Sequence, residues 1–86
     1  MDDIFSVKNK IIVITGAGRG IGHYLANELA KRSSVVYAVD KTFSRKNERN
    51  NCFQNKCDIT NKTKFQKICK NILKDNGKID VLINNA

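Results

Sequence analysis

The apolar residues of this chain fall into two kinds of pattern. Ile11-Ile12-Val13-Ile14 and Val35-Val36-Tyr37-Ala38-Val39 are unbroken apolar runs. Runs without alternation suit strands covered on both faces, as in a parallel sheet. They predict strands over Lys10–Thr15 and Val35–Val39, the second ending in Asp40. Shorter stretches predict a third strand over Cys52–Cys57 and a fourth over Ile79–Asn84. Helical spacing fills two of the intervals. Ile21, Leu25, Leu29 and Ala30 are expected to form the inner face of a helix over Gly20–Arg32, with Tyr24 at its flank and Asn27, Lys31 and Arg32 outside. Phe65, Ile68, Cys69, Ile72 and Leu73 follow i, i+3, i+4, i+7, i+8 over Asn61–Asn76. Thr60 or Asn61 suits the cap of that helix, and Gly77 its end. Residues 1–9 read as a lead-in with Ile4 and Phe5 as its first apolar positions. Lys41–Asn51 is polar and charged, and a helix there would be short, with Phe43 almost its only anchor.

The order is therefore βαβ(α)βαβ. Right-handed crossovers give a parallel sheet of order 3-2-1-4, an α/β, Rossmann-like doubly wound arrangement. The turn after the first strand then sits where the strand order reverses, beside the fourth strand. Ligands of open α/β sheets bind at that point.

Composition narrows the class. Eighty-six residues make at most one small domain, and a chain of this size hides only about 60–65% of the surface that its unfolded state exposes. The formal charge of +8 invites a nucleic-acid reading. However, Lys62, Lys64, Lys67, Lys70, Lys74 and Lys78 lie in or beside one amphipathic segment and mostly avoid its apolar positions. They have no interleaved aromatics and no groove-reading motif, so they read as a solvated helix face, and no nucleic-acid partner is expected. Cys52, Cys57 and Cys69 are odd in number and lack ligand spacing, which suits reduced thiols and no metal. No stretch resembles a signal peptide or a membrane span, so no membrane partner and a cytoplasmic location are expected. His23 is expected at the surface of the first helix.

The chemistry concentrates in Thr15–Gly22, TGAGRGIG, between the first strand and the first helix. Gly16 permits the tight turn, Gly20 lets backbone approach phosphates, and Gly22 lets the helix pack closely. A helix start there offers free N–H groups to a pyrophosphate. Asp40 follows at the end of the second strand, eighteen residues beyond Gly22. A carboxylate at that place accepts from ribose hydroxyls and repels a 2′-phosphate. Asp58, at the end of the third strand, suits either an adenine amino group, with Ile59 against the ring, or a helix cap. Asn84-Asn85-Ala86 closes the fourth strand; the amides suit ties to neighbouring backbone, and the small alanine leaves room for a ribose. Arg19 and Lys41 are cations near the place of a 2′-phosphate and favour NADP. The direct charge clash at Asp40 outweighs them, and NAD is the expected cofactor.

These residues together resemble the short-chain dehydrogenase/reductase family, across Lys8–Ala86. The resemblance implies that Gly16, Arg19, Gly20, Ile21 and Gly22 line the pyrophosphate, that Asp40 holds the ribose, that Asp58 and Ile59 meet the adenine, and that Asn84 and Ala86 lie near the nicotinamide ribose. It implies an oxidoreductase transferring hydride between a nicotinamide cofactor and an alcohol or ketone, working as a homo-oligomer. The family's catalytic Asn, Ser, Tyr and Lys have no counterparts here. Tyr37 and Lys41 match a Tyr-x-x-x-Lys spacing, but Tyr37 falls in a strand and reads as a packing residue. The chain is thus expected to be the N-terminal half of an NAD(P)-binding domain, incomplete at its C-terminal end. It would be inactive alone and marginally folded, with an exposed fourth strand. A non-catalytic dinucleotide-binding or regulatory module is the alternative, and a methyltransferase-like domain a more distant one.

Overall fold

A computed structural model describes residues 6–47 and 49–85. The elements are β1 (Ile11–Thr15), α1 (Gly20–Lys31), β2 (Val35–Asp40), β3 (Cys52–Lys56), α2 (Lys62–Asn76) and β4 (Val81–Asn84). All four strands are parallel, in the order β3-β2-β1-β4. Ile12 pairs with Val36 on one side and Val81 on the other, and Thr15 with Val39 and Asn84. Every residue of β1 is buried, as its unbroken apolar run requires.

Alternation along β1 divides the core into two layers. Ile12 and Ile14 join Val36, Ala38, Ala26 and Ala30 on the α1 side. Ile11 and Val13 join Val39, Cys57 and Ile72 on the α2 side. The segment after β2 forms no helix among its described residues. Phe43 packs from it onto the α1-side core. Asn51 fastens its end, donating from Nδ2 to the carbonyls of Ala30 at 2.8 Å and Ser34 at 2.6 Å.

The face of α1 differs from the expected one. Gly22, His23, Ala26, Asn27 and Ala30 are buried, whereas Ile21 is 78% exposed. Gly22, Ala26 and Ala30 recur every four residues, and small side chains there let the helix sit close to the sheet. Leu25 and Leu29 pack at the margin of that contact, partly buried. His23 and Asn27 are inside rather than outside. Asn27 Nδ2 donates to the His23 carbonyl at 2.9 Å and lies 3.3 Å from His23 Nε2, so the two polar side chains satisfy one another. On α2, Ile72 is buried as expected while Leu73 is about half exposed.

β4 begins two residues later than the apolar pattern suggests. Asp80, just before it, is clipped to β1 in both directions. Its N–H donates to the Ile11 carbonyl at 2.8 Å, and its Oδ2 accepts from the Ile11 N–H at 2.8 Å. The described residues contain no helix long and apolar enough to cross a membrane.

Candidate functional site

The glycine-rich turn leaves β1 at its C-terminal end and enters α1 beside β4. Gly16 and Gly20 have φ of 69° and 61°, a region that side chains enter only with strain. No atom lies within 4 Å of the place where a Cβ at Gly20 would sit, so the backbone there faces open space. Gly22 is the opposite case. A Cβ there would come within 2.2 Å of the Gly16 carbonyl oxygen and 2.5 Å of Asn85 Nδ2. Its small size lets the start of the turn and the end of β4 meet.

The two helices begin differently. Asn61 caps α2, accepting the Lys64 N–H at 3.1 Å. Arg19 occupies the cap position of α1 with extended backbone and makes no side-chain cap, and the first turn holds no acidic residue. The leading N–H groups of α1 thus remain free for an anion, with the positive end of the helix dipole behind them. Arg19 and Ile21 are both exposed at this opening.

Asp40 stands at the end of β2 with both carboxylate oxygens engaged. Oδ2 accepts the Gly18 N–H at 2.9 Å and Oδ1 accepts the Lys41 N–H at 2.7 Å. Each oxygen retains a further lone pair for a hydroxyl donor. Asp58, past the end of β3, accepts on Oδ1 from the N–H and hydroxyl of Thr60 at 2.9 and 2.7 Å. These bonds, with Lys41 nearby, hold its carboxyl below the usual carboxylate range. Lys41 Nζ lies 3.6 Å from Asp58 Oδ2. Asp58 therefore braces the turn before α2, while Asn61 caps the helix itself. Ile59 is partly buried against the α2-side core.

The end of β4 and the residue after it contribute two amides. Asn84 Oδ1 accepts from the Thr15 hydroxyl at 3.0 Å, and Asn85 Nδ2 donates to the Gly16 carbonyl at 3.1 Å. The expected tie to backbone is thus made by Asn85. Ala86 lies outside the described residues. Gly16, Gly20, Gly22, Asp40 and Asn84 meet around the C-terminal ends of β1, β2 and β4, with Asp58 beyond the end of β3. Gly18 and Ser44 are additional members of this constellation that sequence reasoning passed over, and Asn85 joins them as the expected backbone tie. The doubled amide was a signal for Asn85, but nothing in the sequence marks Ser44. Tyr37 stays apart. It stacks on Phe53 with ring centroids 5.2 Å apart and accepts from Asn76 at the far end of α2. The three cysteines are free. Burial pushes the Cys52 thiol up to about 11 and raises that of Cys69 as well.

A parallel sheet of order β3-β2-β1-β4, with an uncapped helix start at its switch point and a carboxylate at the end of the adjoining strand, defines a Rossmann-type α/β fold. The short chain dehydrogenase family profile matches residues 10–86, and the chain belongs to that family. An uncharacterized oxidoreductase of Saccharomyces cerevisiae is 40% identical over 83 residues, covering 92% of this chain and 27% of its own length. A short-chain dehydrogenase/reductase homolog of Bacillus subtilis is 32% identical, covering 94% of this chain and 83% of its own length. Among solved structures, a short chain dehydrogenase from Leptospira borgpetersenii with bound NAD+ superposes with a TM-score of 0.81 at 28% identity. That match covers 92% of this chain and 32% of the other. The chain spans about a third or less of the yeast and Leptospira proteins.

Proposed function

We propose that this chain binds NAD as the dinucleotide half of an oxidoreductase acting between an alcohol and a ketone. The observation that carries the reading is the uncapped start of α1, open above Gly20 and flanked by Asp40. In this reading the pyrophosphate lies over Gly16, Arg19, Gly20, Ile21 and Gly22 and takes the free N–H groups. Asp40 accepts from the adenosine ribose, Asp58 and Ile59 border the adenine, and Asn84 and Ala86 border the nicotinamide ribose. The bound nicotinamide supplies the hydride acceptor or donor. The residues of this chain bind and orient it, and none of them is assigned the proton transfer to the substrate.

Preference for NAD over NADP rests on Asp40, whose charge opposes a 2′-phosphate. The engagement of Lys41 with Asp58 weakens the contrary case, since that cation already has a carboxylate within 3.6 Å. The test is a titration of the chain with NAD and with NADP, followed by NMR. Selective shifts with NAD at Gly16–Gly22, Asp40 and Asp58 are expected. Equal or stronger response to NADP would overturn the preference, and no response at the turn would overturn the site.

A non-catalytic dinucleotide-binding module is the second reading. Its support is the Bacillus subtilis homolog, of which this chain spans 83%. Turnover of alcohols or ketones by the protein that carries this chain decides between them.

A further inference from the structure

Residue 18 of the turn is held from three directions. Its N–H donates to Asp40 Oδ2 at 2.9 Å. Its carbonyl accepts from both the backbone N–H and the hydroxyl of Ser44, at 2.8 and 3.1 Å. A Cβ on Gly18 would lie 1.8 Å from the Thr42 carbonyl oxygen and 2.8 Å from Asp40 Oδ2. The segment from Asp40 to Ser44 therefore wraps around a single residue of the glycine-rich turn, and only glycine fits inside the wrap. Neither backbone group of Gly18 is left for a ligand: its donor is spent on Asp40 and its acceptor on Ser44. The free helix N–H groups and the open face of Gly20 lie further along the turn.

We propose that Gly18 and Ser44 are positioning residues that set cofactor selectivity by fixing the carboxylate of Asp40. The proposal rests on the reading of Asp40 as the ribose acceptor. A carboxylate on a free side chain turns away from a 2′-phosphate or toward a cation, and its discrimination weakens. Held by Gly18 on one oxygen and by the Lys41 N–H on the other, Asp40 keeps its charge where the 2′ position falls and aims its spare lone pairs at the hydroxyls. Ser44 acts one step back. It anchors the Gly18 carbonyl, so that the Gly18 N–H keeps its aim.

The experiment measures NAD and NADP dissociation constants for the intact chain and for Asp40→Asn, Gly18→Ala, Ser44→Ala and Ser44→Thr, with an amide NMR spectrum of each to register folding. The readout is the ratio of the two constants, which a general loss of fold does not change selectively. Asp40→Asn and Gly18→Ala are each expected to lower the preference for NAD by about tenfold, the size of one charge-assisted hydrogen bond. Ser44→Ala should lower it by about threefold, and Ser44→Thr, which keeps the hydroxyl, should restore it. Should Gly18→Ala fail to fold, the two Ser44 variants decide. If Asp40→Asn lowers the ratio while the Gly18 and Ser44 variants leave it unchanged, the positioning role is wrong and the Asp40 reading stands. If Asp40→Asn leaves the ratio unchanged, the reading and the inference fall together.

Discussion

At Gly20 the backbone turns through φ 61° with nothing near the missing side chain. Gly20→Ala therefore tests binding with little disturbance of packing. The strain of an alanine there is about 1 kcal/mol, a modest fall in the urea midpoint. The added methyl projects where phosphate oxygens would lie, so affinity for NAD should fall by about tenfold or more. Unchanged affinity in calorimetry would move the pyrophosphate away from this turn. Gly22 answers to a different constraint, because its methyl would strike the Gly16 carbonyl and the Asn85 amide and disturb the junction of β1, α1 and β4. The two glycines look alike in the motif, yet one is kept for space outside the protein and the other for space within it. Cys52 offers no competing chemistry. Cys52 is buried with its thiol held near 11, so it stays protonated and a poor nucleophile at neutral pH.

At the level of elements, β4 depends on the clip at Asp80. The Ile11 N–H and then Lys78, 3.3 Å away, hold the Asp80 carboxyl below its usual range. A carboxyl whose pKa falls on folding stabilises the fold above about pH 4 and loses that contribution as pH drops through its folded value. Urea midpoints measured from pH 2 to 7 should thus fall more steeply on the acid side for the native chain than for Asp80→Asn, which should also be less stable at pH 7. Identical slopes would mean that the clip does not contribute. The strands were legible because continuous apolar runs have few alternatives once both sheet faces are covered. The helix α2 was legible because its apolar stripe is strong and its ends carry Asn61 and Gly77. The buried face of α1 was not, because hydrophobicity ranks Ile21 and Leu25 above Gly22 and Ala26. A helix pressed against a sheet selects for smallness along its line of closest approach. Likewise Asp40 and Gly22 stood out by spacing, whereas the grip of Ser44 on Gly18 depends on how residues 41–44 curl and has no local signature.

For the molecule as a whole, the sheet has β3 at one edge and β4 at the other among the described residues. β3 carries the polar residues Gln54, Asn55 and Lys56. β4 presents Val81 and Leu82, the latter 57% exposed, along an open row of backbone groups. Such an edge recruits other strands. The 86-residue chain is expected to self-associate with rising concentration in sedimentation experiments, and Leu82→Lys should shift it toward monomer; a chain that stays monomeric throughout contradicts this. The partners of β4 within the molecule are distant in sequence. Asp80 with Ile11, Asn84 with Thr15 and Asn85 with Gly16 each join residues 69 positions apart. The glycine-rich turn is therefore synthesised well before the residues that complete it. As the polypeptide leaves the ribosome, residues 15–22 emerge long before Asn85, which braces Gly16. Until Asn85 clears the exit tunnel, the nascent chain carries the whole glycine motif without the strand that gives it shape.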